Sequence, residues 1–348
     1  MNFYAEDFSG MSEITKVAVD AMGGDNAPGE IVKGAVDAVN ERDDIEVTLV
    51  GDESSIKNVL SGLKYDEARV HIRHTTEVVE MAEPPVNAIR KKTDSSMVVG
   101  MRMVRDGEAD AFVSAGNSGA ILVGGQTVVG RLPGIKRAPL APLIPTTKGV
   151  SLLIDCGANV DARPDHLVTF AKMGSIYMEN VMKVKNPKVA IVNIGAEEEK
   201  GNALVKETFP LLKECKDINF TGSIEAREII NGEADVIVCE AFVGNVILKE
   251  LEGIAKAFLS MMKEAFTSSL KSKIGAALAL PALKKKLKAF DTKQYGGAPL
   301  LGCKGLVVKT HGSAGAVEVK NSVIQCVQFK EAKINEIIQE KLKTESAQ

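Results

Sequence analysis

Gly107-Glu-Ala-Asp110 runs into Ala-Phe-Val-Ser114 and then Gly116-Asn117, and Gly232-Glu-Ala-Asp235 runs into Val-Ile-Val-Cys239 and then Gly244-Asn245. Each copy reads as a turn, a buried strand and a Gly-Asn junction opening a helix. Apolar runs without alternation suit strands covered on both faces, as doubly wound α/β sheets require. Two readings of the repeat stand side by side. Any helix-to-strand turn can end in Gly and Asp, or two lobes each present a Gly-Asn turn to a shared cleft at the carboxyl ends of the strands, where α/β proteins bind ligands.

Outward from these stretches the pattern continues. From Lys16 onward, apolar runs of four to six residues alternate with segments of helical period. The runs predict strands at Val17-Ala21, Val47-Val50, Val70-Ile72, Ala111-Ala115, Leu152-Asp155, Val189-Ile194, Val236-Cys239 and Leu306-Lys309. The expected class is α/β with a doubly wound, mostly parallel sheet, two-lobed over residues 16–335. Residues 1–15 read as a disordered extension, with Met11 an alternative start, and 336–348 as a helix end and tail.

The 348 residues carry 45% hydrophobic and 26% charged side chains, and the mean hydropathy is +0.02. That balance belongs to a soluble globular protein. Aromatic residues make up 4% with no Trp, and 43 Lys+Arg face 46 Asp+Glu, so neither base stacking nor excess positive charge supports nucleic acid as a partner. Five cysteines at 156, 215, 239, 303 and 326 include no C-x-x-C. No basic and apolar leader opens the chain, so a reducing cytoplasm is the plain reading.

Several familiar sites are absent. There is no G-x-G triplet and no G-x-x-x-x-G-K-[ST], which argues against the dinucleotide fingerprint and P-loop chemistry. The histidines at 71, 74, 166 and 311 form no H-E-x-x-H, and no metal or cofactor is expected. Ser118 falls one residue short of a nucleophile elbow. Cys156 and Cys239 end apolar strands, where packing is the commoner role of a free cysteine.

What remains is a set of small-residue junctions after strands: Asp20-Ala-Met-Gly-Gly-Asp25, Ser114-Ala-Gly-Asn-Ser-Gly-Ala120, Asp155-Cys-Gly-Ala-Asn159, Phe242-Val-Gly-Asn245 and His311-Gly-Ser313. Small residues let backbone N–H groups approach an anion, and Asn or Ser side chains add directed bonds. Each loop alone is explained by turns and caps. Five together suit a phosphate or oxyanion site. Asn193-Ile-Gly-Ala-Glu-Glu-Glu-Lys200-Gly201 adds a cation beyond a strand, unless it is a solvated charge run.

A second feature is Leu270 to Asp291, LKSKIGAALALPALKKKLKAFD. Ile274 to Leu283 holds no charge, yet is far short of the roughly 20 residues of a spanning helix. Pro281 is expected to break or kink the run, giving a protruding helical hairpin over about 268–293. Its apolar tip includes Leu278, Leu280 and Leu283, and its basic flank Lys284, Lys285 and Lys286. Between Lys271 and Lys293 seven lysines face one acid, a local +6 that leaves −9 for the rest. The segment is either a core helix with a lysine-rich face or a surface for anionic membrane or an acidic carrier protein.

Taken in order, VDAMGGDNAP (19–28), SAGNSGA (114–120), GRLPGIKRAPLAP (130–142), DCGANVDARPDHL (155–167), NIGAEEEKGN (193–202), FVGNVILK (242–249), YGGAPLLG (295–302) and HGS (311–313) resemble the bacterial phosphate acyltransferases, over about residues 17–335. These transfer the acyl group of acyl-acyl carrier protein to phosphate in phospholipid synthesis. The resemblance implies a fold like that of isocitrate and isopropylmalate dehydrogenases, a homodimer, no cofactor and no bound nucleotide. It also implies acyl carrier protein and phosphate as partners. A peripheral position at the inner face of the cell membrane follows, beside a downstream membrane-bound glycerol-3-phosphate acyltransferase.

The lysine and asparagine of the matching motifs, Lys200 and Asn245, are thereby implied in the active site. Asn117, Ser118, Gly119, Asn159, His311 and Ser313 are the accompanying phosphate-binding candidates. Three departures stand out: Ser118 where threonine is usual, Ser223 where asparagine is usual, and Glu240-Ala241 where Asp-Gly is common. The rival activities are transfer from an acyl-CoA and a non-catalytic scaffold of lipid synthesis.

Overall fold

The computed structural model describes residues 13–287 and 292–345, with side-chain surroundings given over 13–283 and 294–342. The chain divides into two compact units. One consists of the chain up to Gly124 together with Gly305–Glu331, and the other of Gly125–Lys304 with the chain from Ala332 onward.

The first unit begins with β1 (Thr15–Asp20), α1 (Gly29–Glu41), β2 (Ile45–Gly51), α2 (Glu53–Leu60) and β3 (Val70–His74). It continues through α3 (Pro85–Lys91), α4 (Ser96–Arg105), β4 (Ala111–Ser114) and α5 (Ser118–Gly124). The chain then builds the second unit from β5 (Leu143–Thr146), β6 (Gly149–Ile154), α6 (Pro164–Asn180), β7 (Lys188–Asn193) and α7 (Ala203–Glu214). There follow β8 (Asn219–Glu225), β9 (Val236–Val238), α8 (Ala241–Thr267), α9 (Leu270–Leu287) and β10 (Ala298–Pro299). It returns to the first unit for β11 (Leu306–Lys309) and α10 (Ala316–Glu331), and α11 (Ile334–Glu345) belongs to the second.

In the first unit the order runs β11-β4-β1-β2-β3, every pair parallel. The chain leaves β1 outward through β2 and β3, then returns to the opposite side of β1 as β4. That reversal makes the sheet doubly wound and sets its switch point at the carboxyl ends of β1 and β4, the position at which sheets of this class bind ligands. The second sheet runs β5-β6-β9-β7-β8, with only β5 antiparallel to its neighbour. Here β9 is inserted between β6 and β7, a second reversal. Its core packs Ile144, Leu153, Ile237 and Ile229, all nearly inaccessible.

All eight expected strands form, and the parallel α/β class holds, but in two sheets. Strands β5 and β8 lie at the edges of theirs, where Pro145 and the polar, Gly-containing run Asn219–Glu225 are tolerated. Thr15, expected in the extension, is the buried first residue of β1. Residues 1–12 and 346–348 lie outside the described residues.

The repeat has a structural cause in its first half. Gly107 and Gly232 both adopt left-handed backbone, at φ 77° and 67°. The aspartates then pin the start of a neighbouring strand: Asp110 accepts the Lys16 N–H at 2.8 Å and Asp235 the Lys188 N–H at 2.7 Å. The second halves diverge. Gly116-Asn117 precede α5, whereas Gly244-Asn245 lie within the first turns of α8, because Glu240 caps that helix earlier.

The hairpin is also displaced from its expected position. Pro281 sits inside α9 without ending it, flanked by Ala, Leu and Lys, which favour helix. The break falls instead at Ser268-Ser269, between α8 and α9. There the Ser268 hydroxyl donates to the Ala265 carbonyl and Ser269 Oγ accepts the Ser272 N–H, so the serines end one helix and cap the next. Leu278 is 81% exposed, Ile274 57% and Leu280 41%, so the core-helix alternative fails within this chain. Leu283 is half-buried. The side chains of Lys284, Lys285 and Lys286 lie outside the described residues. Among the described residues no helix is long and apolar enough to cross a membrane.

Candidate active site

In the first unit the ends of β1 and β4 meet at Asp20. Its carboxylate is 1% exposed and accepts the Ser114 hydroxyl at 2.7 Å and the Met22 N–H at 3.3 Å. Ser114 Oγ in turn accepts the Gly116 N–H at 3.0 Å. Burial pushes the Asp20 carboxyl upward, against the hydrogen bonds from Ser96, Ser114 and the loop N–H groups.

The turn that follows is tightly closed. Asn117 Nδ2 donates to the carbonyls of Glu80, Met81 and Glu83 at 3.0–3.1 Å, and its Oδ1 accepts the Ala120 N–H at 3.0 Å. The side chain is thus a clamp and a helix cap. Ser118 is exposed and Gly119 partly so.

The His311-Gly-Ser313 turn joins the same end of the sheet. The Asp25 N–H donates to the Gly312 carbonyl at 2.8 Å, and Asn26 Nδ2 to the carbonyls of Ser313 and Ala314. His311 Nδ1 and Ser313 Oγ are 2.9 Å apart. The start of α10 is already neutralised, since Glu30 accepts the Ala316 N–H and Glu318 the Gly315 N–H.

In the second unit the residue after β6 is Asp155, 0% exposed. Its Oδ1 accepts the N–H groups of Leu140 (2.9 Å) and Ala158 (3.2 Å), and its Oδ2 accepts Asn159 Nδ2 at 2.6 Å. Burial still drives this carboxyl up to about 6. Asn159 also donates to the Ala138 carbonyl at 3.0 Å, while its Oδ1 is buried without a partner. Its donors are therefore spent on the loop.

Helix α8 starts against this loop. The Ala241 N–H donates to the Asn159 carbonyl at 3.2 Å, and Glu240 accepts the N–H groups of Phe242 (2.6 Å) and Val243 (2.9 Å). A Cβ at Gly244 would overlap the Asp155 carbonyl oxygen, so only glycine admits the helix this close. One residue on, Asn245 is exposed and its Oδ1 faces Gly157. The Glu240-Ala241 departure is thereby accounted for: the longer acid caps α8, and Ala241 is buried.

Lys200 stands on the loop after β7. Asn193, 7% exposed, closes that loop by donating to the Lys200 carbonyl (3.2 Å) and to Ser223 Oγ (3.1 Å). Gly201, at φ 104°, passes so near that a Cβ would lie 2.6 Å from Asn193 Oδ1. Ser223 thus supplies a polar partner to Asn193 from β8. The Lys200 ammonium is half-exposed and pairs with Glu197 at 2.8 Å.

The structure therefore gathers Asn159 and Asn245 in one corner of the second unit. It gathers Asn117, Ser118, His311 and Ser313 at one end of the first. Sequence reading missed Asp20, Asp155, Asn193 and Glu197 as organisers, although all four stand inside quoted motifs. Burial disfavours the thiolate at the buried cysteines, holding Cys156, Cys239 and Cys326 well up and Cys303 up to about 12. Among the described residues no cluster of His, Cys, Asp and Glu forms a metal site.

The family described as "Fatty acid synthesis protein" matches residues 15–337. A phosphate acyltransferase of Alkaliphilus oremlandii (strain OhILAs) is 51% identical over 325 residues, 93% of this chain and 96% of that protein. The chain belongs to the phosphate acyltransferase family. Membership makes the enzyme an acyltransferase of lipid biosynthesis. Among solved structures, a phosphotransacetylase from Streptococcus pyogenes aligns with TM-score 0.61 at 17% identity, covering 91% of this chain and 94% of that one. A 4-hydroxythreonine-4-phosphate dehydrogenase from Klebsiella pneumoniae aligns at 0.50 and 13% identity, covering 91% and 100%. Both likenesses concern the fold, which is of phosphotransacylase and dehydrogenase type.

Proposed function

We propose that this phosphate acyltransferase takes a long-chain acyl group from the thioester of acyl carrier protein and passes it to inorganic phosphate. A phosphate oxygen bonds to the thioester carbonyl carbon. The tetrahedral oxyanion collapses, the C–S bond breaks, and the carrier thiolate leaves and takes a proton from solvent. Phosphate is already an anionic nucleophile near neutral pH, so the protein has to position it and stabilise the charge reaching the carbonyl oxygen.

The observation that carries this reading is the open strand-end surface of the second unit. There the Lys200 ammonium and Asn245 amide are exposed, while the buried thiols stay protonated. Lys200 neutralises the phosphate, and Asn245 hydrogen-bonds phosphate or the oxyanion. Asn159 serves by holding the loop beside Asn245, and Asn117 by holding the turn that presents Ser118 and Gly119. Those two residues, with His311 and Ser313, are the anion contacts proposed for the first unit.

The enzyme is further proposed to act as a cytoplasmic homodimer at the inner membrane face, handing acyl phosphate to a membrane-bound acyltransferase acting on glycerol 3-phosphate. The exposed apolar residues of α9, followed by Lys284, Lys285 and Lys286, support a surface for an acidic partner. The deciding experiment measures thiol release from acyl-acyl carrier protein with and without phosphate, beside acyl-CoA of the same chain length. Phosphate-dependent release with preference for the carrier is expected. Preference for CoA transfers the reading to a phosphotransacylase, and release from neither removes catalysis.

A further inference from the structure

The ammonium assigned to phosphate already has an anion beside it. Glu197 Oε2 lies 2.8 Å from Lys200 Nζ, and both side chains are about half exposed, at 52% and 48%. The loop itself builds this pair. The Lys200 N–H donates to the Glu197 carbonyl at 3.2 Å, closing a turn. Both side chains then fold over Gly195, where a Cβ would stand 2.8 Å from Glu197 Oε2 and 3.0 Å from Lys200 Nζ. Asn193 clasps the loop from beneath through the Lys200 carbonyl. Of the neighbouring acids, Glu198 is engaged by Lys213 at 2.6 Å. Glu225 and Glu199 act on the Lys200 ammonium less strongly than Glu197 does.

Resting on the reading that Lys200 receives phosphate, we propose that Glu197 is its built-in competitor: the carboxylate holds the ammonium in the unliganded enzyme, and incoming phosphate displaces it. Carboxylate and phosphate offer an ammonium the same anionic oxygen, so one cation on a short stem serves them in turn. Displacement is cheap, because a half-exposed carboxylate returns to water and an exposed ion pair is weak. Glu197 therefore sets the affinity for phosphate without touching the acyl group. Gly195 is the bed that lets the exchange occur on the surface of the loop.

The test compares initial rates against phosphate concentration for the wild type, Glu197→Gln, Glu197→Asp, Lys200→Ala and the double variant Glu197→Gln/Lys200→Ala. Glu197→Gln is expected to lower the KM for phosphate roughly two- to fivefold, the range a weak surface pair allows. Glu197→Asp, which keeps the anion, stays nearer the wild type. In the Lys200→Ala background the Glu197 substitution has no further effect on KM. The alkaline limb of kcat/KM for phosphate also moves to lower pH in Glu197→Gln, since Glu197 raises the Lys200 ammonium more than Glu225 and Glu199, which act in the same direction. An unchanged or raised KM in Glu197→Gln, or the same gain without Lys200, overturns the competitor. Wild-type kinetics in Lys200→Ala instead overturn the phosphate role of Lys200, and the competitor with it.

Discussion

Asp20 ends β1 in one unit and Asp155 follows β6 in the other, 1% and 0% exposed, and both carboxyls are pushed upward by burial. Each gathers the loops at the carboxyl edge of its sheet. Around Asp20 the gathering ends in closure. Asn117 spends both ends of its amide on backbone, and Glu30 and Glu318 occupy the N–H groups at the start of α10. Around Asp155 it ends in presentation. Asn159 absorbs the second carboxylate oxygen and the Ala241 N–H, and α8 then carries Asn245 out to the surface. The same kind of buried hub thus supports a sealed turn in one unit and, in the other, a loop against which α8 carries the proposed ligand Asn245 at its surface.

The most direct way to break that contrast is Asn245→Ala. An exposed amide removed from the surface of a helix leaves the fold intact, while the loss of one oxyanion donor lowers turnover about 100- to 1000-fold. Steady-state acyl phosphate formation, beside circular dichroism of the same sample, checks both halves. Turnover within a few-fold of wild type would take Asn245 out of the mechanism.

Asn117→Ala probes the sealed side and has the opposite signature. Removing it uncaps α5 and strips three carbonyls of their donor, a loss of about 2–3 kcal/mol in urea-induced unfolding. A change under about 0.5 kcal/mol would show that the side chain is not committed to the fold, and would return it to the list of direct anion ligands.

This division explains what could be read in the residues alone. Val236–Val238 and Ala111–Ser114 are legible because strands buried on both faces need unbroken apolar runs. Strand β8 is not, because an edge strand tolerates the polar, Gly-containing Asn219–Glu225. The proline of α9 looks like a stronger break than the serine pair before it, yet capping by Ser269 outweighs one missing N–H within an Ala- and Leu-rich run. Lys200 and Asn245 stand out through their motifs. Asn117 and Asn159 look identical to Asn245 as letters, since an amide in a Gly-rich turn serves equally as cap, clamp or ligand. Only the carbonyls of residues 80–83 and 138, distant in sequence, decide which.

Asp155→Asn sharpens the electrostatic side of the comparison. In the native protein the carboxyl titrates up near 6, whereas an unfolded aspartate titrates near 3.9. Between those values the native state holds a proton that the unfolded state lacks, so this group makes stability fall as pH rises from about 4 to about 6, and adds no further slope above. An asparagine has no proton to exchange. It can keep the bonds from Leu140 and Ala158, but its amide N–H groups meet the Asn159 donors, and turning Asn159 over would set its Oδ1 against the Ala138 carbonyl. The variant should therefore trail the wild type by about 2 kcal/mol at pH 5 and by clearly less at pH 7.5, where the wild type bears the cost of a buried charge. Urea midpoints at the two pH values decide it. A deficit independent of pH would mean that Asp155 is ionised throughout, and the hub would then act through hydrogen-bond geometry alone.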